Sequence, residues 1–494
     1  MPHSRVRTGC WTCRDAGYKC DEKKPHCGRC VRLGLKCQGY GVRLKWRIAA
    51  TDAGPEKRPR KSQRKTSPSD TSNVSPISDI ASIASAPERL EYAGYDAAQP
   101  WMFSLSPMVS SSMASDLPPT DQRLLCYWVD QLSSLISVTP RTTNPTPFQL
   151  HLTSMACNYG ALRSTILCMA ANHLALVSND ASLRVQAYRH QRNAILLLQN
   201  LIQDPVEAAS EPALATVLMM QVSARLFSEE DEEPHVANHL AGAKAMIVRR
   251  GNLHAWSSSS SARFLLSLFA YHDILSSVSL ASRPLLENHN EFDGLEGVSS
   301  MRGIAKILHI VAQISEMRHM TILNGNQVLP SKEALLLGSR LQQLLAEMDL
   351  SGLADNPDLY YTTQAYRHSA FIYLYRVWLG IGAPNPNTLQ HVKACINYIE
   401  KTPVHSPLVS AHIWPLFSAG CEAIDSMQRQ MVRDRFAAMF RSRKFPSLRR
   451  VMRDVEDVWV AKDMEQMMAG EDGMSRVDCI QVILRSRGRE VDLA

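Results

Sequence analysis

The chain has 494 residues, 45% of them hydrophobic, so its length allows two or three domains and most of it can bury a core. The net charge of +7 is uneven, because residues 1–47 hold twelve Lys and Arg against three Asp and Glu, which gives +9 there and −2 elsewhere. No run of about 18 apolar residues occurs and none follows Met1, so we expect neither a membrane span nor a secretory signal. A basic head on a nearly neutral body is typical of a polyanion-binding protein.

The twelve cysteines fall into two groups. In a chain without a secretory signal we expect thiols or metal ligands rather than disulfides. Six cysteines are scattered through apolar segments, where we expect buried small side chains. The other six form the unit C-x2-C-x6-C twice, with six residues between the copies. They are Cys10, Cys13, Cys20, Cys27, Cys30 and Cys37.

Six thiolates are too few for two separate tetrahedral zinc sites, which need eight ligand bonds. Two cysteines that each bridge both metals would supply the missing bonds. The repeated unit suggests its first cysteine in each copy, Cys10 and Cys27, as the bridges. We expect each C-x2-C pair to open a short helix, whose N-terminal dipole favours thiolate. The predicted ligand sets are Cys10, Cys13, Cys20 and Cys27 for one zinc, and Cys27, Cys30, Cys37 and Cys10 for the other.

The spacing resembles that of the fungal Zn2Cys6 binuclear cluster family of transcription factors. This resemblance implies two zinc ions per chain, double-stranded DNA as a partner and a nuclear location. An alternative is a metal-thiolate or redox-responsive protein that binds DNA incidentally, and zinc stoichiometry with stability would separate the two. The other residues that carry the resemblance are Arg14, Lys19, Asp21, Glu22, Lys24, Pro25, Gly28 and Arg29.

Basic residues around the cluster are expected to bind DNA phosphates. In the family, a basic pair in the first helix region reads a CGG triplet, but here Ala16 and Gly17 stand at those positions. Three possibilities remain open. Arg14 and Lys19 read guanine, main-chain carbonyls near Gly17 accept from cytosine, or phosphate contacts dominate. The predicted DNA-binding residues are Arg5, Arg7, Arg14, Lys19, Lys23, Lys24, Arg43 and Lys45.

Residues 48–116 are rich in Ser, Pro, Ala and Asp and lack periodicity, which predicts a disordered linker. No heptad repeat follows Cys37, so no coiled coil is predicted there and the oligomeric state stays open. The apolar run from Trp101 to Leu105 is expected to dock on the body or to contact a coregulator. A basic run in the linker predicts nuclear localisation or a DNA-contacting arm. Its residues are Lys57, Arg58, Arg60, Lys61, Arg64 and Lys65.

Beyond residue 117, apolar residues recur at i, i+3 and i+4, and the breaks are short and hold Pro, Gly, Asn and Ser. This pattern predicts a large all-α domain of stacked helix pairs over residues 117–494. One helix is expected to begin near Leu124. The other predicted helices span residues 162–176, 183–201, 214–226, 264–277, 304–319, 332–347, 362–379 and 389–401.

This half resembles the fungal-specific transcription factor regulatory domain of the second type, over most of residues 121–459. The motifs that carry the resemblance include those at 170–174, 239–243 and 413–422. No G-x-S-x-G motif, P-loop or dinucleotide fingerprint occurs, so no enzyme is predicted. The expected organisation is a Zn2Cys6 domain with two short helices over 1–47, a linker over 48–116 and the helical domain over 117–494.

Overall fold

The fold is described from a computed structural model, which separates the chain into an N-terminal and a C-terminal unit. The N-terminal unit is called the cluster domain here, and the C-terminal unit the helical domain. The predicted linker over 48–116 lies outside the described residues, and so do the domain boundaries that were placed at its ends. The described residues are 9–24, 26–37, 117–138, 145–228, 239–251, 256, 259–286, 302–323, 332–353 and 355–494.

The cluster domain contains two five-residue helices, α1 (Trp11–Asp15) and α2 (Gly28–Arg32). Each begins directly after the first cysteine of a C-x2-C pair, as the sequence predicts. Each also ends in the same way, because Gly17 and Gly34 adopt left-handed backbone with φ of 73° and 61°. The next N–H then reaches back to a cysteine carbonyl, from Tyr18 to Cys13 over 2.8 Å and from Leu35 to Cys30 over 2.9 Å. The duplicated sequence therefore folds as a duplicated structure.

The helical domain is all-α over its described residues, as predicted, and no strand occurs among them. Predicted helix centres coincide with observed helices, although most observed helices are several residues longer. The first half contains α3 (Pro119–Tyr127), α4 (Ser133–Ile136), α5 (Ser154–Asn158), α6 (Gly160–Ser178), α7 (Ala181–Leu201), α8 (Glu211–Phe227), α9 (His239–Arg249) and α10 (Ser260–Leu280), with π-helical turns at Trp128–Leu132 and Phe148–Thr153 and a 3-10 turn at Glu207–Ala209.

The second half contains four C-terminal helices, beyond residue 401, that the sequence patterns did not predict. The last long helix is interrupted at Gly470, whose backbone is not helical. The helices are α11 (Arg302–Leu323), α12 (Lys332–Ala346), α13 (Pro357–Trp378), α14 (Pro386–Lys401), α15 (Ile413–Cys421), α16 (Ser426–Arg443), α17 (Pro446–Arg476) and α18 (Cys479–Arg487), with 3-10 turns at Ser351–Leu353 and Pro407–His412.

Local chemistry explains where these helices begin. At seven starts a Ser, Asp or Asn side chain accepts a hydrogen bond from a main-chain N–H of the first turn, which satisfies a donor that the helix itself leaves unpaired. Proline occupies an early helical position after Asn356, Asn385 and Ser210, where its missing N–H costs nothing. The seven capping residues are Asp180, Ser210, Ser259, Asn356, Asn385, Asp425 and Asp478.

The helices stack in a continuous series in which α7 packs on α6, α6 on α8, α8 on α10, α10 on α11, α11 on α13 and α13 on α14. α6 is apolar on most of its faces and is long enough to cross a membrane by length and composition. However, 67% of that apolar window is buried inside the protein. A central helix in contact with two neighbours has this character because most of its surface is covered by other helices.

A buried carboxylate joins three distant parts of the helical domain. Glu422 is 3% exposed, and its Oε1 accepts from Arg376 Nη2 over 2.6 Å. Its Oε2 accepts from the Ala383 N–H over 2.7 Å and from Lys462, which is fully buried. Burial alone would raise the pKa of Glu422, but the two cations outweigh it and lower the pKa to about 2. The carboxylate therefore stays ionised and holds α13, α15 and α17 together.

Replacing Glu422 with Gln is expected to destabilise the helical domain by about 3–5 kcal/mol, because Arg376 and Lys462 would be left as buried cations without a counter-charge. The measurement is urea unfolding followed by circular dichroism. Glu456→Gln is the matched control, since Glu456 pairs with Arg433 at a site where both side chains are more than 40% exposed. The control is expected to change stability by about 0–1 kcal/mol. Equal effects of the two substitutions would contradict a structural role for the buried group.

Candidate metal centre and nucleic-acid interface

The six cysteines of the cluster domain come together in space. They form two groups of four whose sulfur atoms lie within 4.8 Å of one another. Cys10 and Cys27 belong to both groups. No other group of three or more potential metal ligands occurs in the described part of the chain. The groups are Cys10, Cys13, Cys20 and Cys27, and Cys10, Cys27, Cys30 and Cys37, which are the ligand sets that the repeated spacing predicts.

The distances between these sulfurs fit a zinc tetrahedron. Zn–S bonds of about 2.3 Å place two sulfurs of one tetrahedron about 3.8 Å apart. Cys10 Sγ lies 3.6 Å from Cys27 Sγ and 3.9 Å from Cys30 Sγ. Cys13 Sγ lies 3.6 Å from Cys27 Sγ. The side chains are therefore arranged to hold two metal ions that share two sulfurs.

The electrostatics of the centre also require cations. Cys10, Cys13, Cys27 and Cys30 are fully buried. Burial raises the pKa of the Cys10 thiol, and it raises that of Cys27 to about 12. Thiolates so close together are stable only with a bound metal, which replaces the lost protons. Two Zn²⁺ and six thiolates carry a net charge of −2, which the basic residues of the cluster domain offset.

Main-chain and side-chain donors surround the sulfurs. The Cys10 N–H lies 3.4 Å from Cys20 Sγ, and the Cys30 N–H lies 3.4 Å from Cys27 Sγ at the start of α2. Arg29 Nη1 lies 3.8 Å from Cys13 Sγ, while its guanidinium stacks 4.0 Å from the Tyr18 ring centroid. Such donors stabilise thiolate and orient it toward a metal. Sequence reasoning gave Arg29 no role, because the contact joins the two halves of the cluster.

Two further contacts fasten one half of the cluster to the other. Both carboxylate oxygens of Asp21 accept from the Gly28 N–H, over 3.0 and 2.9 Å. A Cβ at position 28 would lie 2.5 Å from Asp21, so this approach requires glycine. Thr12 Oγ1 donates to the Lys36 carbonyl over 2.9 Å. These bonds fix the second C-x2-C pair against the first, and the sequence gave no sign of them beyond the resemblance that includes Asp21 and Gly28.

Four of the predicted DNA-binding residues lie on the surface of the cluster domain. Lys19, Lys23 and Lys24 are exposed. Arg14 is half-buried, with its guanidinium 4.1 Å from the ring centroid of Trp11, one turn earlier in α1. The contact packs the guanidinium of Arg14 on the Trp11 ring. Arg5, Arg7, Arg43 and Lys45 lie outside the described residues, as do the six basic residues of the linker from Lys57 to Lys65.

The structure also accounts for the glycine at position 17. Its left-handed backbone ends α1, and a Cβ there would meet no atom within 4 Å. A side chain at this position has room but strains the backbone. Ala16 is exposed beside it. The end of α1 thus presents a small, open surface where the family's basic pair would stand.

Two family models match the chain in the order that the structure shows. The fungal Zn(2)-Cys(6) binuclear cluster domain matches residues 8–47. The fungal specific transcription factor domain matches residues 123–491, about three quarters of the chain. These matches confirm the expected fold class of both domains. For the cluster domain they also confirm the two-zinc cofactor.

Curated relatives are similar to this chain over short stretches of about 36–46 residues. Arginine metabolism regulation protein II of Saccharomyces cerevisiae is 48% identical over 46 residues, 9% of this chain and 5% of that protein. The aspercryptin biosynthesis cluster-specific transcription regulator atnN of Emericella nidulans is 58% identical over 36 residues, 7% of this chain and 6% of that protein. The match thus spans well under a tenth of either relative. No solved structure matches. With the longer family match, the chain belongs to the fungal specific transcription factor domain family and carries an N-terminal Zn(2)-Cys(6) binuclear cluster.

Proposed function

We propose that this protein is a nuclear, zinc-dependent DNA-binding regulator of RNA polymerase II transcription, and that it is not an enzyme. The observation that carries the proposal is the pair of overlapping cysteine groups beneath a basic surface. A metal store would exchange its zinc readily and would need neither that surface nor a large helical domain. The helical domain would serve as the regulatory part that contacts coregulators.

Within the cluster, Cys10 and Cys27 act as bridging ligands and the other four cysteines bind one zinc each. This assignment follows from membership of the two cysteines in both groups of four. The two bridging residues are also the residues that precede α1 and α2. Loss of a bridge would therefore disturb both metals and both helices.

Replacing Cys10 with Ser is expected to remove both zinc ions, whereas Cys37→Ser is expected to leave about one per chain, because a bridge serves two metals and Cys37 only one. The measurement is metal content by mass spectrometry after dialysis against a weak chelator. Cys157→Ser is the control, since Cys157 lies in the helical domain outside both cysteine groups. Two tightly held zinc ions in Cys10→Ser would refute the bridged arrangement. Variable filling of the wild-type protein would favour a metal store.

DNA binding is proposed to depend mainly on phosphate contacts. Lys19, Lys23 and Lys24 are exposed, and Arg14 is half-buried against Trp11 in α1. Ala16 and Gly17 cannot make the two-bond contact with guanine that a basic pair makes. Since no coiled coil is predicted after the cluster, we propose binding as a monomer, or as a dimer joined only by the helical domain.

The affinity for a short duplex is expected to fall with salt at a slope of roughly −4 to −5 in log K against log salt, which corresponds to about four to six phosphate contacts. Replacing Lys23 and Lys24 together with Ala should reduce the slope by roughly 2. Fluorescence anisotropy at several salt concentrations measures both values. Lys332→Ala is the control, since Lys332 is an exposed lysine of the helical domain.

Binding-site selection with the full-length protein tests the mode of recognition. The expected product is a short site without fixed spacing between half-sites. Selection of a strong CGG palindrome with one fixed spacing would contradict the phosphate-dominated mode. It would also contradict the absence of a dimer element that fixes the distance between half-sites. An unchanged salt slope in the double lysine variant would show that these lysines do not touch phosphate.

The basic run in the linker is proposed to direct nuclear import. Changing Lys57, Arg58, Arg60 and Lys61 to Ala is expected to leave a fluorescently tagged protein mainly in the cytoplasm, because import receptors recognise clustered positive charge. Fluorescence microscopy of living cells gives the nuclear fraction. Replacing Lys23 and Lys24 with Ala is the control for import through the cluster domain. Full nuclear accumulation of the linker variant would contradict the assignment of the basic run as the import signal.

A further inference from the structure

An apolar cavity of about 120 Å³ lies inside the helical domain where α8, α10, α15, α16 and α17 converge. On one wall the rings of Phe148 and Phe264 meet edge to face, with 5.2 Å between their centroids. An engineered protein cavity of similar size binds benzene, so this space suits a ligand with a small apolar body. The main apolar side chains of the lining are Phe148, Val222, Phe264, Leu268, Met439 and Leu448.

Among the described residues that line the cavity, Arg443 alone has a charged side chain. It is 3% exposed. Its Nη1 donates to the Leu135 carbonyl over 2.6 Å and its Nη2 to the Ser406 carbonyl over 2.7 Å. Its Nε is buried without a hydrogen-bond partner. No carboxylate oxygen of the described residues, that of Ala494 included, lies within 4.0 Å of this guanidinium.

The other buried cations of the described helical domain differ from Arg443 in this respect. Each has a carboxylate partner, because burial of an unpaired charge is costly. Burial, helped by Arg435, lowers the pKa of Arg443 to about 10, so the side chain is still protonated at neutral pH. Its counter-charge is therefore missing. The paired cations are Arg225 with Glu490 at 3.0 Å, Arg318 with Asp478 at 2.6 Å, Arg450 with Asp492 at 2.7 Å, and Lys462 with Glu422.

A second polar side chain of the lining is also incompletely bonded. His272 is 4% exposed, and its Nδ1 has no hydrogen-bond partner. Burial, together with Arg225, lowers the pKa of His272 to about 3, so the ring is neutral. Arg443 and His272, which both line this apolar cavity, thus each keep a buried nitrogen without a partner. Ligand sites typically combine apolar walls with a few polar groups that orient the molecule.

We propose that this cavity binds a small monocarboxylate whose apolar body lies among Phe148, Phe264 and Leu268 and whose carboxylate pairs with Arg443. A carboxylate is the anion that matches a guanidinium most closely in geometry. The cavity is too small for a large ligand, and the one charged side chain of its described lining matches a single negative charge. The proposal goes beyond the function given above, because binding to this cavity requires neither DNA nor the zinc cluster.

Isothermal titration of the full-length, zinc-loaded protein with benzoate and with benzyl alcohol tests the proposal. Benzoate is expected to bind at one site per chain and at least tenfold more tightly than benzyl alcohol, which has nearly the same shape without the charge. Leu268→Phe, which adds volume inside the cavity, is expected to weaken benzoate binding at least tenfold. Leu280→Phe is the matched control on the same helix, at a side chain that is 43% exposed and outside the cavity.

Arg443→Met is expected to abolish the preference for benzoate while benzyl alcohol still binds. Because Arg443 also donates to three main-chain carbonyls, circular dichroism must first show that this variant folds. The comparison of the two ligands on the wild-type protein does not depend on this variant. Equal affinities for both ligands, no binding of either, or unchanged affinity in Leu268→Phe would each overturn the proposal. Benzoate binding that occurs only after Trp101→Ala and Phe103→Ala would also overturn the proposal. It would indicate that the apolar run from Trp101 to Leu105 occupies the cavity instead.

Discussion

The sharing of sulfur between two metals is the constraint on which the cluster domain depends. Six thiolates satisfy two tetrahedral ions only when two of them serve both. Cys10 and Cys27 must then lie next to each other although 17 residues separate them in sequence, and their sulfurs are 3.6 Å apart. The Asp21 to Gly28 bonds and the Thr12 to Lys36 bond follow from this closeness, since they connect the segments that the shared sulfurs draw together.

Sequence spacing was sufficient to predict which cysteines come together in two overlapping groups, because a repeated three-cysteine unit with too few ligands admits few solutions. It could not show the supporting contacts. Arg29 beside Cys13 and the Asp21 carboxylate on Gly28 depend on how the two halves face each other, and no periodicity records that. Gly17 stood out in sequence only as a departure from the family. In the structure Gly17 also has a local role, because its left-handed backbone ends α1 just as that of Gly34 ends α2.

In the helical domain, apolar periodicity located the centres of most helices, because a helix that packs on two neighbours must repeat its buried residues. It failed for α16, whose sequence is rich in Arg and Gln and buries only Val432, Phe436, Met439 and Arg443. It also could not foresee the buried ion pairs. Arg376 and Glu422 are 46 residues apart, and each looks like an ordinary surface residue in sequence. Pairing of distant charges is decided by tertiary packing alone.

Charge is balanced differently in the two parts of the chain. The zinc–thiolate centre is anionic, so cations such as Arg29 stabilise it, and exposed lysines add positive charge at the surface of the cluster domain. In the helical domain the balance is internal, and it fixes the segment after α18. Glu490 and Asp492 neutralise Arg225 of α8 and Arg450 of α17, while the alternating Val491 and Leu493 are each 1% exposed. These ion pairs bring Ala494 to the cavity wall. The segment that neutralises two buried arginines therefore borders the cavity beside Arg443, a buried arginine without a carboxylate partner. The shape of that cavity and the packing of α8 against α17 thus depend on the same few residues.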